Sequence, residues 1–143
     1  MRFTTLRRIA AAAAGTILAA GAGIFVSAPA AQAAYSDCPQ ESGYLCFWQD
    51  ANYSGGLGTL SGSNTDWRAF SRPNCQSGTW SDCASSIANE GRDCEAVVHE
   101  HPNYGGSSWV INRDTSAANL TQWGKPSGGT WNDAISSNRW WCG

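Results

Sequence analysis

Asn52-Tyr53-Ser54-Gly55-Gly56 returns later in the chain as Asn103-Tyr104-Gly105-Gly106-Ser107, in an Asn-Tyr-x-Gly register. Trp80-Ser81-Asp82-Cys83-Ala84-Ser85-Ser86 returns as Trp131-Asn132-Asp133-Ala134-Ile135-Ser136-Ser137. Both pairs stand 51 residues apart. Two unrelated matches at one offset point to a duplicated unit of about 50 residues. The duplication sets the architecture: two similar halves, each opening with a strand and a glycine-rich turn.

The first 33 residues stand apart from that repeat. Arg2, Arg7 and Arg8 precede an Ala-rich apolar run over 9–28 that ends in Ala31-Gln32-Ala33. A basic start, an apolar run and a small-x-small step predict a secretory signal over 1–33, cleaved after Ala33. A membrane anchor of similar length is the rival, and the Ala/Gly composition with the cleavage step disfavours it. Removal leaves 110 of the 143 residues, from Ala34 to Gly143, enough for one domain. In that part six Lys/Arg face eleven Asp/Glu, a net charge of −5. An acidic exported domain without a basic run is expected to bind neither nucleic acid nor an anionic membrane.

All six cysteines, Cys38, Cys46, Cys75, Cys83, Cys94 and Cys142, fall after the signal. An even number in a small exported chain predicts three disulfides. Fifteen pairings are open, and order along the chain favours Cys38–Cys46, Cys75–Cys83 and Cys94–Cys142. Loop-closure entropy assigns about 2.5 kcal/mol to each of the first two and about 4 kcal/mol to the last. No Cys-x-x-Cys pair supports zinc.

Strand-like segments open both units, Tyr44-Leu45-Cys46-Phe47-Trp48 and Ala96-Val97-Val98-His99. They run into turns at 53–56 and 104–106, whose glycines are expected to supply positive φ. Further extended stretches are predicted over 57–60 and 108–112. The only helical turn expected lies within 115–123. Short strands, glycine-rich hairpins and two units predict an all-β sandwich of two packed antiparallel sheets with Greek-key connections. The polar connections 61–79 and 112–130 are the expected carriers of binding function.

The hairpin segments carry an aromatic, a second aromatic five positions on, then x-Gly. Trp48-Gln-Asp-Ala-Asn-Tyr53-Ser-Gly55 fits, and His99-Glu-His-Pro-Asn-Tyr104-Gly-Gly106 keeps all but the leading aromatic. This resembles the Greek-key motif of βγ-crystallins, in which the inner aromatic folds over the hairpin glycine. The resemblance implies a disulfide-stapled βγ-crystallin-like domain over 34–143, with motifs at about 43–91 and 94–142.

Asn132-Asp133-Ala134-Ile135-Ser136-Ser137 also resembles the superfamily's calcium loop, Asn/Asp, Asn/Asp, two free positions, Ser/Thr, Ser. Ser81-Asp82-Cys83-Ala84-Ser85-Ser86 departs at its first position. Hard oxygen donors in a turn suit calcium. The resemblance implies shared sites, Asp133 and Ser136 meeting the carbonyl of Gln49, and Asp82 and Ser85 meeting that of Glu100. With about one carboxylate per site, affinity is expected on the order of 10⁻⁴ M. In this fold the loop serine also holds the hairpin without metal.

Asp37-Cys38-Pro39 and Gly43-Tyr44-Leu45-Cys46-Phe47-Trp48-Gln49-Asp50-Ala51-Asn52-Tyr53-Ser54-Gly55 resemble secreted bacterial proteins of peptidase-inhibitor family thirty-six, whose type member inhibits a metalloproteinase. The resemblance implies a secreted inhibitor with a secreted peptidase as partner, and the chain is expected to be extracellular, monomeric and without catalytic residues. No reactive-site motif is evident. Candidate segments are 71–80, held by Cys75 and Cys83, and the Cys38-Pro39 terminus.

His99-Glu100-His101 places two imidazoles on alternate positions, but its counterpart is Trp48-Gln49-Asp50, an ordinary hairpin start. Without a third ligand or a helical His-Glu-x-x-His, catalysis is not expected. Eight tryptophans raise a second reading. Trp48, Trp80 and Trp131 sit at repeat positions and are expected in the core. Trp67, Trp109, Trp123, Trp140 and Trp141 are less constrained and could stack on sugar rings, giving a glycan- or cell-wall-binding or antimicrobial module.

Overall fold

The computed structural model describes residues 33–143. The expected secretory signal lies outside the described residues apart from Ala33. Among the described residues no helix is long and apolar enough to cross a membrane.

Seven strands follow in order: β1 (Tyr44–Asp50), β2 (Ser54–Leu60), β3 (Ser86–Glu90), β4 (Glu95–His101), β5 (Gly105–Ile111), β6 (Thr115–Ala117) and β7 (Ser137–Trp141). They form two antiparallel sheets, ordered β2-β1-β3-β6 and β5-β4-β7. One strand crosses over between the halves: β6 of the second half pairs with β3 of the first. The reciprocal crossing is reduced to a single bridge, Asn64 to Asn138 on β7.

Side-chain alternation explains the layers. Leu45, Phe47 and Ile87 from one sheet meet Ala96, Val98 and Ile111 from the other, with Trp67, Trp80, Leu120, Trp131 and Ile135 closing the core. Cys46, Trp48 and Ala88 point to the opposite face of the first sheet, where Cys38, Tyr35 and Tyr53 cover them. The segment before β1 is therefore an arm laid over the outside of the sheet, and Cys38–Cys46 fastens it there. Cys75–Cys83 and Cys94–Cys142 complete the three disulfides, the pairing that chain order favours.

Two local expectations change. The hairpin corners do not rest on glycine alone: Asn52 and Tyr53 have φ of 58° and 57°, and Asn103 and Tyr104 have 58° and 60°. Asparagine tolerates the left-handed region, whereas for tyrosine it costs about 1 kcal/mol. Tyr53 packs edge-on against Trp48 at 5.0 Å, and Tyr104 lies 5.5 Å from His99. A Cβ at Gly55 would meet Asp50 and Gln49, and one at Gly106 would meet His101 and Glu100. Within 115–123 the chain is first the strand β6, and only Leu120–Gln122 forms a 3-10 turn. Asn119 caps it by accepting from the Thr121 amide. A matching 3-10 turn at Trp67–Ala69, capped by Asp66, had no sequence signal of its own.

Candidate functional site

Both repeated loops are tied to the hairpin of their own half. The amides of Ser85 and Ser136 each donate to a β-strand carbonyl, Trp48 and His99 respectively, at 2.9 Å. The hydroxyl of Ser86 donates to the Asp50 carbonyl at 2.8 Å and accepts from the Tyr53 amide. Ser137 does the same for His101 and Tyr104. The last serine of each loop thus holds a strained corner in place.

The aspartates stand where the two loops meet back to back. Asp82 and Asp133 both have positive φ, 55° and 50°. The Asp82 amide donates to the Ile135 carbonyl, and the Asp133 amide to that of Ala84, each at 3.0 Å. This crossing exchanges the hydroxyls: Ser136 donates to Asp82 at 2.9 Å, and Ser85 to Asp133 at 3.3 Å. The expected sets paired Asp133 with Ser136 and Asp82 with Ser85. The structure instead pairs each aspartate with the serine of the other loop, because the loops lie side by side. Asn132 donates to its neighbour Asp133 at 2.8 Å.

Asp133, Ser85 and Asp82 line a cavity of about 210 Å³ with Gln49, Asp50 and Asn74. Asp133 is exposed as a whole residue, but its carboxyl faces this cavity. Burial pushes its pKa up, the hydrogen bonds from Ser85 and Asn132 oppose the rise, and the Asp82 and Asp50 carboxylates add to it. Carboxylates and a hydroxyl are the hard donors a calcium ion takes, so the donor types fit. Among the described residues no three His, Cys, Asp or Glu side chains form a ready-made metal cluster.

Gln49 and Glu100 occupy equivalent positions with different chemistry. The guanidinium of Arg72 donates twice to the Gln49 side-chain oxygen, at 3.0 and 2.8 Å, and lies over the Trp80 ring. Glu100 accepts from Lys125 at 2.5 Å, Ser127 at 2.7 Å and the Ser107 amide. The Lys125 and Ser127 bonds hold its pKa down at about 2, against opposing burial. Arg72 and Lys125 are 53 residues apart, so the 51-residue register hides their equivalence.

The second half carries two more residues between Glu100 and Lys125 than the first carries between Gln49 and Arg72, and the turn that follows restores the register. Arg72 donates its amide to Gly78 and Lys125 to Gly129, closing turns with five and three residues between the partners. The longer turn carries Cys75, buried and bonded to Cys83, with Asn74, Gln76 and Ser77 exposed around it. Gln49 donates to the Asn74 carbonyl at 3.1 Å, and Ser77 to that of Ser81 at 3.0 Å. The segment 71–80 is thus fixed at both flanks while its tip meets solvent.

The two histidines do not converge. His99 is 4% exposed, its ring nitrogens have no hydrogen-bond partner, and burial, then Arg139, lowers its pKa. His101 is exposed, and the strand register shifts between the two.

The model of peptidase inhibitor family I36 matches residues 31–111. A solved structure concerned with the evolution of the eye-lens βγ-crystallin domain fold aligns with TM-score 0.55 and 22% identity over 71% of this chain and 87% of that one. A βγ-crystallin from Ciona intestinalis aligns with TM-score 0.53 and 21% identity over 69% of this chain and 100% of that one. Both show the βγ-crystallin fold. Among curated proteins none matches this chain.

Proposed function

The chain belongs to peptidase inhibitor family I36, and from that premise we propose that it is a secreted inhibitor presenting residues 71–80 to a metalloproteinase. The observation that carries this reading is the Cys75–Cys83 turn, longer than its counterpart, flank-anchored and exposed at Asn74, Gln76 and Ser77. A disulfide-held segment loses little entropy on entering a substrate cleft and resists the motion that would release products. The backbone carbonyls of the tip, or the nearby Asp82, offer oxygen to a catalytic zinc. Family membership implies a non-enzymatic role with a peptidase as partner. Three disulfides agree with an oxidising, extracellular setting. The reading includes a signal over 1–33 and one monomeric domain over 34–143.

Titration against a thermolysin-type metalloproteinase and a subtilisin-type serine proteinase tests it. Inhibition of the first is expected, and removing the Cys75–Cys83 bridge should weaken it. Failure to inhibit either at micromolar protein would sink the reading.

Calcium is a secondary part of the proposal. The cavity lined by Asp82, Asp133 and Asp50 is favoured, because among the described residues its carboxylates lack a cation partner of the kind Lys125 provides for Glu100. Ten times the dissociation constant of calcium should stabilise the fold by about 1.4 kcal/mol. An unchanged melting temperature between millimolar calcium and chelator would exclude occupancy, and Asp133→Ala should remove more of any shift than Asp82→Ala.

A further inference from the structure

Strands β1, β3, β4 and β7 each have one end at the paired loops and the other at a separate trough. The trough begins in a cavity of about 270 Å³ walled by Trp140, Gly91, Arg92, Asp93 and Ser61. Gly91 and Arg92 also wall the next cavity, together with Glu41 and Asp114. Glu41 and Asp114 in turn wall a third, of about 420 Å³, that reaches Tyr35. The three cavities neighbour one another through these shared wall residues, with Trp140 in the first and Tyr35 in the third.

The aromatics are held in place. The Trp140 indole donates to the Ser61 carbonyl at 3.0 Å, and its amide donates to the Ser63 hydroxyl at 3.0 Å. A Cβ at Gly91 would stand 2.7 Å from the Trp140 ring, so the glycine lets that ring lie against backbone. At the other end the Tyr35 hydroxyl donates to Glu90 at 2.6 Å. That hydrogen bond, with burial, raises the Tyr35 pKa to about 12 and keeps the hydroxyl protonated. Between them Arg92 donates to the Glu41 carbonyl at 3.0 Å, and Arg113 to that of Arg92 at 2.6 Å, cross-linking the walls.

Rigid flat rings at both ends and a floor dense in hydrogen-bonding groups match a ligand with apolar ring faces and hydroxyl edges. Carboxylates outnumber guanidinium groups along the walls, which disfavours a polyanion. We infer that this trough binds a neutral oligosaccharide, one pyranose ring resting on Trp140 and the chain running toward Tyr35. This binding function is separate from the segment 71–80 and stands whether or not that segment inhibits a peptidase.

The test titrates N-acetylchitotetraose and cellotetraose into the disulfide-intact protein, read by tryptophan fluorescence and by the indole N–H resonances. Saturable binding of at least one, with the Trp140 resonance shifting, is expected at millimolar affinity or tighter. Trp140→Ala should weaken it by about tenfold or more. Trp123→Ala, an exposed tryptophan stacked on Trp109 elsewhere, should leave it unchanged. If Trp140→Ala fails to fold, Trp140→Phe and Asp93→Ala take its place, both expected to weaken binding several-fold. Absence of binding by both sugars, or equal loss in Trp123→Ala, overturns the inference. So does preferential occupancy of the trough by tetralysine.

Discussion

In the first half Phe47 faces Gly58 across the β1–β2 ladder, and in the second Val98 faces Trp109 across β4–β5. The bulk has changed strands. A Cβ on Gly58 would run into the Phe47 ring. Phe47 stacks on Trp67 at 4.4 Å and meets Trp80 edge-on at 4.7 Å, whereas Trp109 stacks on Trp123 at 4.8 Å. The outer faces differ as well: Trp48 lies under the arm with Tyr35, while His99, its counterpart, is buried beside Tyr104. At these positions duplication has preserved backbone pairing while the bulky side chain moved to the facing strand, as close-packed interiors allow.

The largest effect should come from undoing that exchange. Phe47→Val and Gly58→Trp should each cost about 3 kcal/mol in urea unfolding, one by a cavity and the other by overpacking. The double variant restores the second half's arrangement and should regain at least about 1 kcal/mol over the sum. Strict additivity would show that the two sites do not share one volume.

Next in size are the disulfides. Cys75→Ala with Cys83→Ala and Cys38→Ala with Cys46→Ala close loops of equal separation, 8 residues. Each double variant should lose about 2.5 kcal/mol. Only the first should weaken peptidase inhibition. Equal weakening by both would place the inhibitory contact outside 71–80.

Smaller again is the contrast between Lys125→Met and Arg72→Met. The depressed pKa of Glu100 makes its contribution fully present above the unfolded value of about 4.3 and lost as pH falls toward about 2. Lys125→Met should therefore cost about 1.5 kcal/mol at neutral pH, shrinking through that acid window. Arg72→Met should show a cost that does not change there, because Gln49 does not titrate. Thermal melts across the acid range distinguish the two profiles.

The smallest effect concerns His99, whose pKa is lowered mainly by burial. Its neutral form supports the fold fully above the unfolded value of about 6.5, and that support is lost as pH falls from there through the lower folded value. His99→Phe should flatten the mild loss of stability below neutrality. An unchanged slope would assign it to other groups.

Much of this was readable in the residues. The 51-residue register located the hairpins, Trp80 with Trp131, and the serines that hold the corners. The cysteine order favoured the observed pairing. Hidden from it were Arg72 with Lys125 and Trp67 with Leu120, all 53 apart, because a shift of two residues separates them from the register and their side chains are matched by role rather than type. The exchanged partners of Asp82 and Asp133 were hidden for another reason: which loop lies beside which is a property of the assembled sheets. Left-handed Tyr53 and Tyr104 went against backbone preference and are held by hydroxyls more than thirty residues away.

The crossing of β6 into the first sheet bears on how the molecule comes into being. A ribosome that has made residues 33–91 has supplied β1, β2 and β3, yet β3 still presents an open edge until residues 115–117 arrive. Each half is therefore an unfinished template for the other, and a chain cut between β3 and β4 should yield fragments that are unstable alone and recombine when mixed. Exchange of the second half between two copies would satisfy the same pairings, so the short link between β3 and β4 also governs whether one chain or two complete the sandwich.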